Sequence, residues 1–191
     1  MSVERARPMK LLGLCGSLRA QSFSAGLLRA ARALAPAEVA FERESELPLF
    51  NPDLESRPPQ AVAALWQAVT DAEAIIVVSP EYAHGVTGTI KNALDWLVGH
   101  PPFGGKPVAA FNPAFQSHHA DDALKEILCT MSADLIDAAC VRIPVIGSGV
   151  TVSEIANTPR FASALEAAWG EIVAHVRQAR QRQAELAASA P

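Results

Sequence analysis

Residues 15–24 read Cys-Gly-Ser-Leu-Arg-Ala-Gln-Ser-Phe-Ser, which gathers three hydroxyls, an amide, a guanidinium and a thiol into one short stretch. An apolar run, MKLLGL, precedes it and a helix-like run, AGLLRAARALA, follows it. A turn from strand into helix presents unpaired backbone N–H groups and the positive end of the helix dipole. Ser17, Arg19, Gln21, Ser22 and Ser24 around such an end make a cradle for a phosphate. The stretch is neither a GxxxxGK[ST] loop nor a GxGxxG turn, and the one GxG, at Gly147–Gly149, lacks a third glycine. For Ser22 or Ser24 taken singly, plain helix capping accounts for the residue equally well. The cluster as a whole favours phosphate. Cys15 invites a phosphatase reading, but only three residues separate it from Arg19, where that chemistry wraps a longer loop. A small buried residue at a strand end fits Cys15 better.

A second stretch, SPEYAHGVTGTIKNALDWL, offers flat surfaces. Pro80 ends a strand, Gly85 and Gly88 permit close backbone approach, and Tyr82 and His84 carry rings with polar tips. The backbone N–H groups of Glu81–Gly85 are suited to hydrogen-bonding a heterocycle. His118 and His119 raise a metal reading, but no HExxH and no ligand cluster accompanies them, so a polar loop leading into a helix capped by Asp121 is expected.

These residues need a scaffold. Strands are expected at Lys10–Cys15, Glu38–Glu42 (nearer an edge), Ala74–Ser79, Lys106–Phe111 and Ala139–Ile143. AIIVVS is apolar without alternation, as in a strand covered on both faces. Helices are expected at Ala25–Ala35, from Pro59 to Thr70, at Val86–Val98 with Gly99 beyond its end, at Asp121–Met131, and from Pro159 onward. Ile90, Ala93, Leu94 and Leu97 mark one buried face; Phe161, Leu165, Trp169, Ile172 and Val176 mark another. Trp96 and Trp169 read as core or subunit-contact residues. SELPLFNPDLESRPP is a long irregular loop, a feature often tied to function.

Alternating strands and helices predict an α/β fold: a flavodoxin-like, three-layer, doubly wound sandwich with a five-stranded parallel sheet in the order 2-1-3-4-5. Ligands of such sheets lie beyond the carboxyl ends of the strands, at the switch point between strands 1 and 3. Gly16–Ser24 and Pro80–Thr87 flank that point.

With 191 residues, half of them hydrophobic, the chain is expected to form one domain over 1–191, frayed at 1–8 and 182–191. A net charge of −4 argues against a nucleic-acid surface. No run approaches the roughly 20 apolar residues of a membrane span, and MSVERARPMK lacks the apolar core of a secretory signal. Three widely spaced cysteines suit a reducing compartment, so the expected location is cytoplasmic.

The segments GSLRAQSFS and PEYAHGVTGTIKNALDW resemble the NADPH-dependent FMN reductase family, whose flavodoxin-like members include quinone, chromate and azo-dye reductases. LPLFNPDLE is similar to the family's exit from its second strand, and the resemblance covers about residues 10–145. It implies FMN as cofactor and NADPH or NADH as co-substrate. Ser17, Arg19 and Ser22 would grip the FMN phosphate, with Gln21 and Ser24 beside them. Pro80, Glu81, Tyr82 and Ala83 would line the flavin ring and ribityl chain. His84 and Gly85 would meet the ring edge through backbone, and Ser117 would close the other side. Ser24 stands where the family pattern has Asn; Thr87 and Thr89 depart from it too, and FNPAFQSHHA is not glycine-rich.

The implied activity is hydride transfer from nicotinamide to flavin, then two-electron reduction of a quinone, azo compound, metal oxyanion or flavin by a ping-pong cycle. No protein nucleophile is required, and Tyr82 and His84 would border the pocket. A homodimer or homotetramer is implied. The alternative is a flavin-binding electron carrier without nicotinamide activity of its own. A phospho-acceptor receiver domain shares the topology but needs acidic residues where this chain has Cys-Gly-Ser and Ser-Pro-Glu.

Overall fold

The computed structural model describes residues 7–19, 21–43 and 46–189. Its six-stranded central sheet is parallel throughout. Strand β1 (Met9–Cys15) lies between β2 (Val39–Arg43) and β3 (Ala74–Val78), and β3 pairs with β6 (Pro107–Asn112). The last sheet position is shared by two short strands, β7 (Asp134–Leu135) and β8 (Val141–Arg142), both paired to β6. The order β2-β1-β3-β6-β7 is the expected 2-1-3-4-5 arrangement, with β2 at an edge. The fifth strand is not the continuous Ala139–Ile143 expected. A 3-10 turn at Asp137–Ala139 interrupts it, so residue 139 lies in the turn rather than the sheet.

Alternation builds two cores. On β1, Met9 and Leu11 join one cluster while Leu12 and Leu14 join the other; on β3, Ala74, Ile76 and Val78 separate in the same way from Ile75 and Val77. Helices α1 (Phe23–Ala33) and α5 (Pro159–Ser189) cover the first face; α2 (Gln60–Asp71), α3 (Gly88–Val98) and α4 (His118–Thr130) cover the second. All five residues of β3 are buried, which is why its sequence shows no polar alternation. Each Ile or Val there contributes about 1.5–3 kcal/mol of burial.

The expected helix faces are buried on α3 and α5, and Trp96 and Trp169 are core residues. Gly99 ends α3 with φ −85°, so no left-handed cap occurs there. A Cβ at Gly99 would instead meet Glu55 Oε1 at 2.7 Å. Of the ends expected to fray, 1–6 and 190–191 lie outside the described residues, and α5 continues to Ser189.

Candidate functional site

Three loops converge beyond the carboxyl ends of β1, β3 and β6. The first leaves β1 at Cys15. Gly16 N–H donates to Val78 O (2.8 Å), extending the β1–β3 pairing by one residue. A Cβ on Gly16 would meet Ser79 Oγ at 2.3 Å and Ser79 Cα at 2.9 Å, so only glycine lets the two loops touch here. Ser17 Oγ accepts from Arg19 N (3.4 Å), and Arg19 O accepts from Ser22 N (3.0 Å), which folds the loop back on itself. Ser22 is the N-cap of α1, its Oγ accepting from Ala25 N (3.4 Å).

Ser17, Ser22 and Ser24 are buried, while Arg19 and Gln21 are exposed. Ser24, only 1 % exposed, has a buried hydroxyl with no hydrogen-bond partner among the described residues. Such an orphan costs about 1–3 kcal/mol unless something completes it. It stands in the first turn of a helix whose N-terminus favours anions.

The second loop contains an element that sequence reading missed. Glu81–Tyr82 (β4) and Gly85–Val86 (β5) form an antiparallel hairpin, where a helix had been expected to begin at Val86. Ala83 and His84 are its two turn residues, with φ 49° and 57°. Two left-handed centre residues are the pattern of a type I′ turn, normally built with Asn or Gly. For Ala and His each costs about 1–2 kcal/mol, a strain that persists only where the surroundings over-determine it. Thr87 then caps α3 through its Oγ1, which accepts from Ile90 N (3.3 Å) and donates to Gly16 O (2.6 Å).

The third loop leads from β6 to α4. Asn112 Nδ2 donates to Ser117 O (2.7 Å), and Asn112 Oδ1 accepts from Ala114 N (3.0 Å). The helix starts at His118 rather than Asp121, and Asp121 does not cap it. The external cap is Glu81, whose Oε2 accepts from Ala120 N (2.9 Å). Asp121 is buried and paired with Lys125 (3.1 Å) and Arg142 (3.2 Å); Arg142 Nη1 also donates to His118 Nδ1 (2.8 Å). The rings of His84 and His119 stack, centroids 4.4 Å apart and 14° from parallel. Among the described residues no group of three or more His, Cys, Asp or Glu is arranged to hold a metal.

Beside the first loop lies a cavity of about 420 Å³, lined by Cys15, Ser17, Leu18, Leu49, Thr89 and Asn92, among others. Tyr82 and His84 are not part of its lining, and Tyr82 is 58 % exposed. One wall is the LPLF stretch of the β2–α2 loop. Asn92 Oδ1 accepts from Phe50 N (2.7 Å), its Nδ2 donates to Pro48 O (2.9 Å), and Trp96 Nε1 donates to the same carbonyl (2.9 Å). Sequence reading missed Asn92 and this role of Trp96. The signal was the joint presence of LPLFN and KNALDW, which give no local hint that they meet.

The family model for NADPH-dependent FMN reductases matches residues 9–145. A 2-hydroxy-1,4-benzoquinone reductase from a Burkholderia species is 38 % identical over 106 residues, covering 53 % of this chain and 58 % of that protein. The quinone reductase of Escherichia coli K12 is 36 % identical over 107 residues, or 52 % of this chain and 57 % of the relative. The quinone reductase of Pseudomonas putida is 32 % identical over 140 residues, covering 68 % of this chain and 72 % of the relative. The chain thus spans little more than half the length of the first two. Among solved structures, FerB, a flavoenzyme NAD(P)H:(acceptor) oxidoreductase from Paracoccus denitrificans, superposes with a TM-score of 0.75 at 23 % identity, covering 89 % of this chain and 98 % of FerB. A flavodoxin from the domain Archaea gives 0.58 at 16 % identity, covering 88 % and 99 %. Both share the fold.

Proposed function

The chain belongs to the NADPH-dependent FMN reductase family, and we propose that it is an NAD(P)H-dependent, FMN-containing oxidoreductase that reduces a small acceptor. Quinones, azo compounds, metal oxyanions and free flavin are the acceptor classes this reading allows. The observation that carries it is the buried Ser24 hydroxyl in the first turn of α1, which has no hydrogen-bond partner among the described residues. An anion at that helix end would complete it.

The residues present fit the cofactor. Ser17, Ser22 and Ser24 supply hydroxyls, Arg19 a charge and Gln21 an amide to a phosphate at α1. The left-handed Ala83–His84 turn presents hairpin backbone to a flat ring, with Pro80, Tyr82 and Gly85 around it and Ser117 on the side of α4. When bound, FMN supplies hydride acceptance from nicotinamide and two-electron delivery to an acceptor, in a ping-pong cycle. The protein's own tasks are to neutralise the phosphate, to keep the loops clamped at Gly16–Thr87 and to hold the hairpin in one conformation. The carboxylate of Glu81 is committed to α4, so Glu81 serves a ligand through its backbone.

The same reading includes a homodimer or homotetramer in the cytoplasm. Leu18, Leu49, Tyr82 and Phe115 are all exposed, one on each loop at the carboxyl edge of the sheet, and are candidates for the subunit contact. Sedimentation as a monomer at micromolar concentration contradicts that part. No helix among the described residues is long and apolar enough to cross a membrane.

The test is FMN titration of the FMN-free protein by quenching of flavin fluorescence. Arg19→Ala is expected to weaken binding about 10- to 100-fold, the worth of a charge-assisted hydrogen bond. Saturable binding that ignores Arg19 contradicts the phosphate assignment.

A further inference from the structure

The strained hairpin turn is tied down at two points, and both ties run to the N-terminus of α4. Glu81, the first hairpin residue, accepts from Ala120 N (2.9 Å). His84, at the turn itself, lies face to face with His119 at 4.4 Å between centroids. One tie therefore grips the base of β4, and the other grips the tip.

The two contacts differ in kind. Glu81 replaces a side-chain cap that α4 lacks: Ser117 occupies the N-cap position but makes no capping bond with its side chain. A carboxylate at a helix N-terminus gains from both the bond and the dipole. His84 and His119 are both exposed, so their stack is a surface contact between flat rings rather than core packing. Neither contact is needed to build the hairpin ladder, which is made by Glu81–Val86 and Tyr82–Gly85 pairing. Val86 packs against the core beneath, so what the two contacts add is a hold on the Ala83–His84 turn relative to α4. Around them lie Tyr82 on the hairpin and His118, Asp121 and Arg142 on the α4 side, the last three joined in their own ion-pair and hydrogen-bond network.

We propose that His119 and Glu81 are positioning residues that clamp the Ala83–His84 turn onto α4, so that its backbone is preformed for a flat heterocycle. The role for the heterocycle rests on the flavin reading of the same site; the clamp itself does not. A preformed turn avoids ordering the loop at the moment of binding, which is the usual source of affinity from rigid loops.

Two measurements test this. The first is hydrogen exchange at residues 82–86 in the FMN-free protein; the second is the FMN dissociation constant. His119→Ala is expected to speed exchange at the hairpin several-fold and to weaken FMN about three- to tenfold, the range of an aromatic pair. His119→Phe keeps a flat ring and is expected to restore both. Glu81→Ala is expected to resemble His119→Ala, while Glu81→Gln, which retains an acceptor oxygen, keeps most of the protection. The double variant is expected to lose less than the sum of the two, since a turn already loose has little left to lose. Unchanged exchange in His119→Ala, in a protein that melts normally, overturns the clamp. If the unmodified protein fails to bind FMN, the flavin reading fails, and hairpin exchange still decides the clamp.

Discussion

The hydroxyl of Thr87 lies 2.6 Å from the carbonyl of Gly16 and joins the loop after β1 to the loop after β3. The same oxygen accepts from Ile90 N, so one buried side chain caps α3 and clamps the switch point of the sheet. Thr87 departs from the residue that the family pattern leads one to expect, yet it has a defined structural task here.

Replacing Thr87 with Val keeps the shape and removes both bonds, together with the 3.5 Å contact to Ser79 Oγ, so a buried N–H and a carbonyl lose a partner. The expected cost is about 2 kcal/mol, which for a chain of this size lowers Tm by about 4–8 °C. FMN binding should weaken in parallel, because the two loops are no longer held together. Thr87→Ser retains the hydroxyl and should melt close to the unmodified protein. Thermal melts with and without FMN check both statements.

Ser24→Ala separates stability from binding. Removing an unpaired buried hydroxyl relieves its desolvation, so the FMN-free protein is expected to gain about 1 kcal/mol. If that hydroxyl completes a phosphate site, the same change weakens FMN. A higher melting temperature with a larger dissociation constant is the predicted pair of results. Lower stability without FMN contradicts the orphaned state of Ser24.

Asn92→Leu unfastens the LPLF stretch from α3. Both side-chain bonds, to Phe50 N and Pro48 O, are lost, while the Trp96 bond to Pro48 remains. The expected loss is about 1–3 kcal/mol, accompanied by faster hydrogen exchange at Phe50. Leu47 and Leu49, part of the cavity lining, should become more mobile. Unchanged exchange at Phe50 would show that Trp96 alone holds the loop.

Glu73 ties the start of β1 to α5. Its two oxygens accept from Arg180 Nε and Nη2, each at 2.7 Å, and one also accepts from Lys10 N (3.2 Å). The Arg180 hydrogen bonds, opposed by partial burial and aided by the Lys10 N–H, hold the Glu73 carboxyl below its ordinary value of 4.5. Its contribution is therefore fully present above about that value and is lost as pH falls through the lower folded-state value. Glu73→Gln should cost about 1 kcal/mol at neutral pH, and the difference should shrink as the solution is acidified below pH 4.5. A gap that persists at strongly acidic pH rules out the ion pair as its source.

The fold was legible where burial is one-sided or complete. AIIVVS shows a strand covered on both faces, and the spacing of Ile90, Leu94 and Leu97 shows the buried stripe of α3. The split last strand was not, because β7 and β8 are too short to carry a period of their own. The hairpin stayed hidden because Ala-His replaces the Asn or Gly that usually signals such a turn. The cap of α4 was misassigned to Asp121 because the true cap, Glu81, comes from 39 positions away. The serines and Arg of the first loop could be picked out from local chemistry alone. The clasp of Asn92 on Pro48 and Phe50 could not, since it depends on a loop returning across more than 40 residues.

The visible spectrum of the purified protein, loaded with FMN, desalted, and then given NADPH without oxygen, decides whether this chain is a flavin-dependent reductase. Flavin absorbance is expected to survive desalting and to bleach rapidly on addition of the nucleotide. Flavin that is retained but does not bleach contradicts the reductase and points to an electron carrier. A protein that retains no flavin, and shows no saturable quenching of FMN fluorescence, contradicts both the reductase and the carrier.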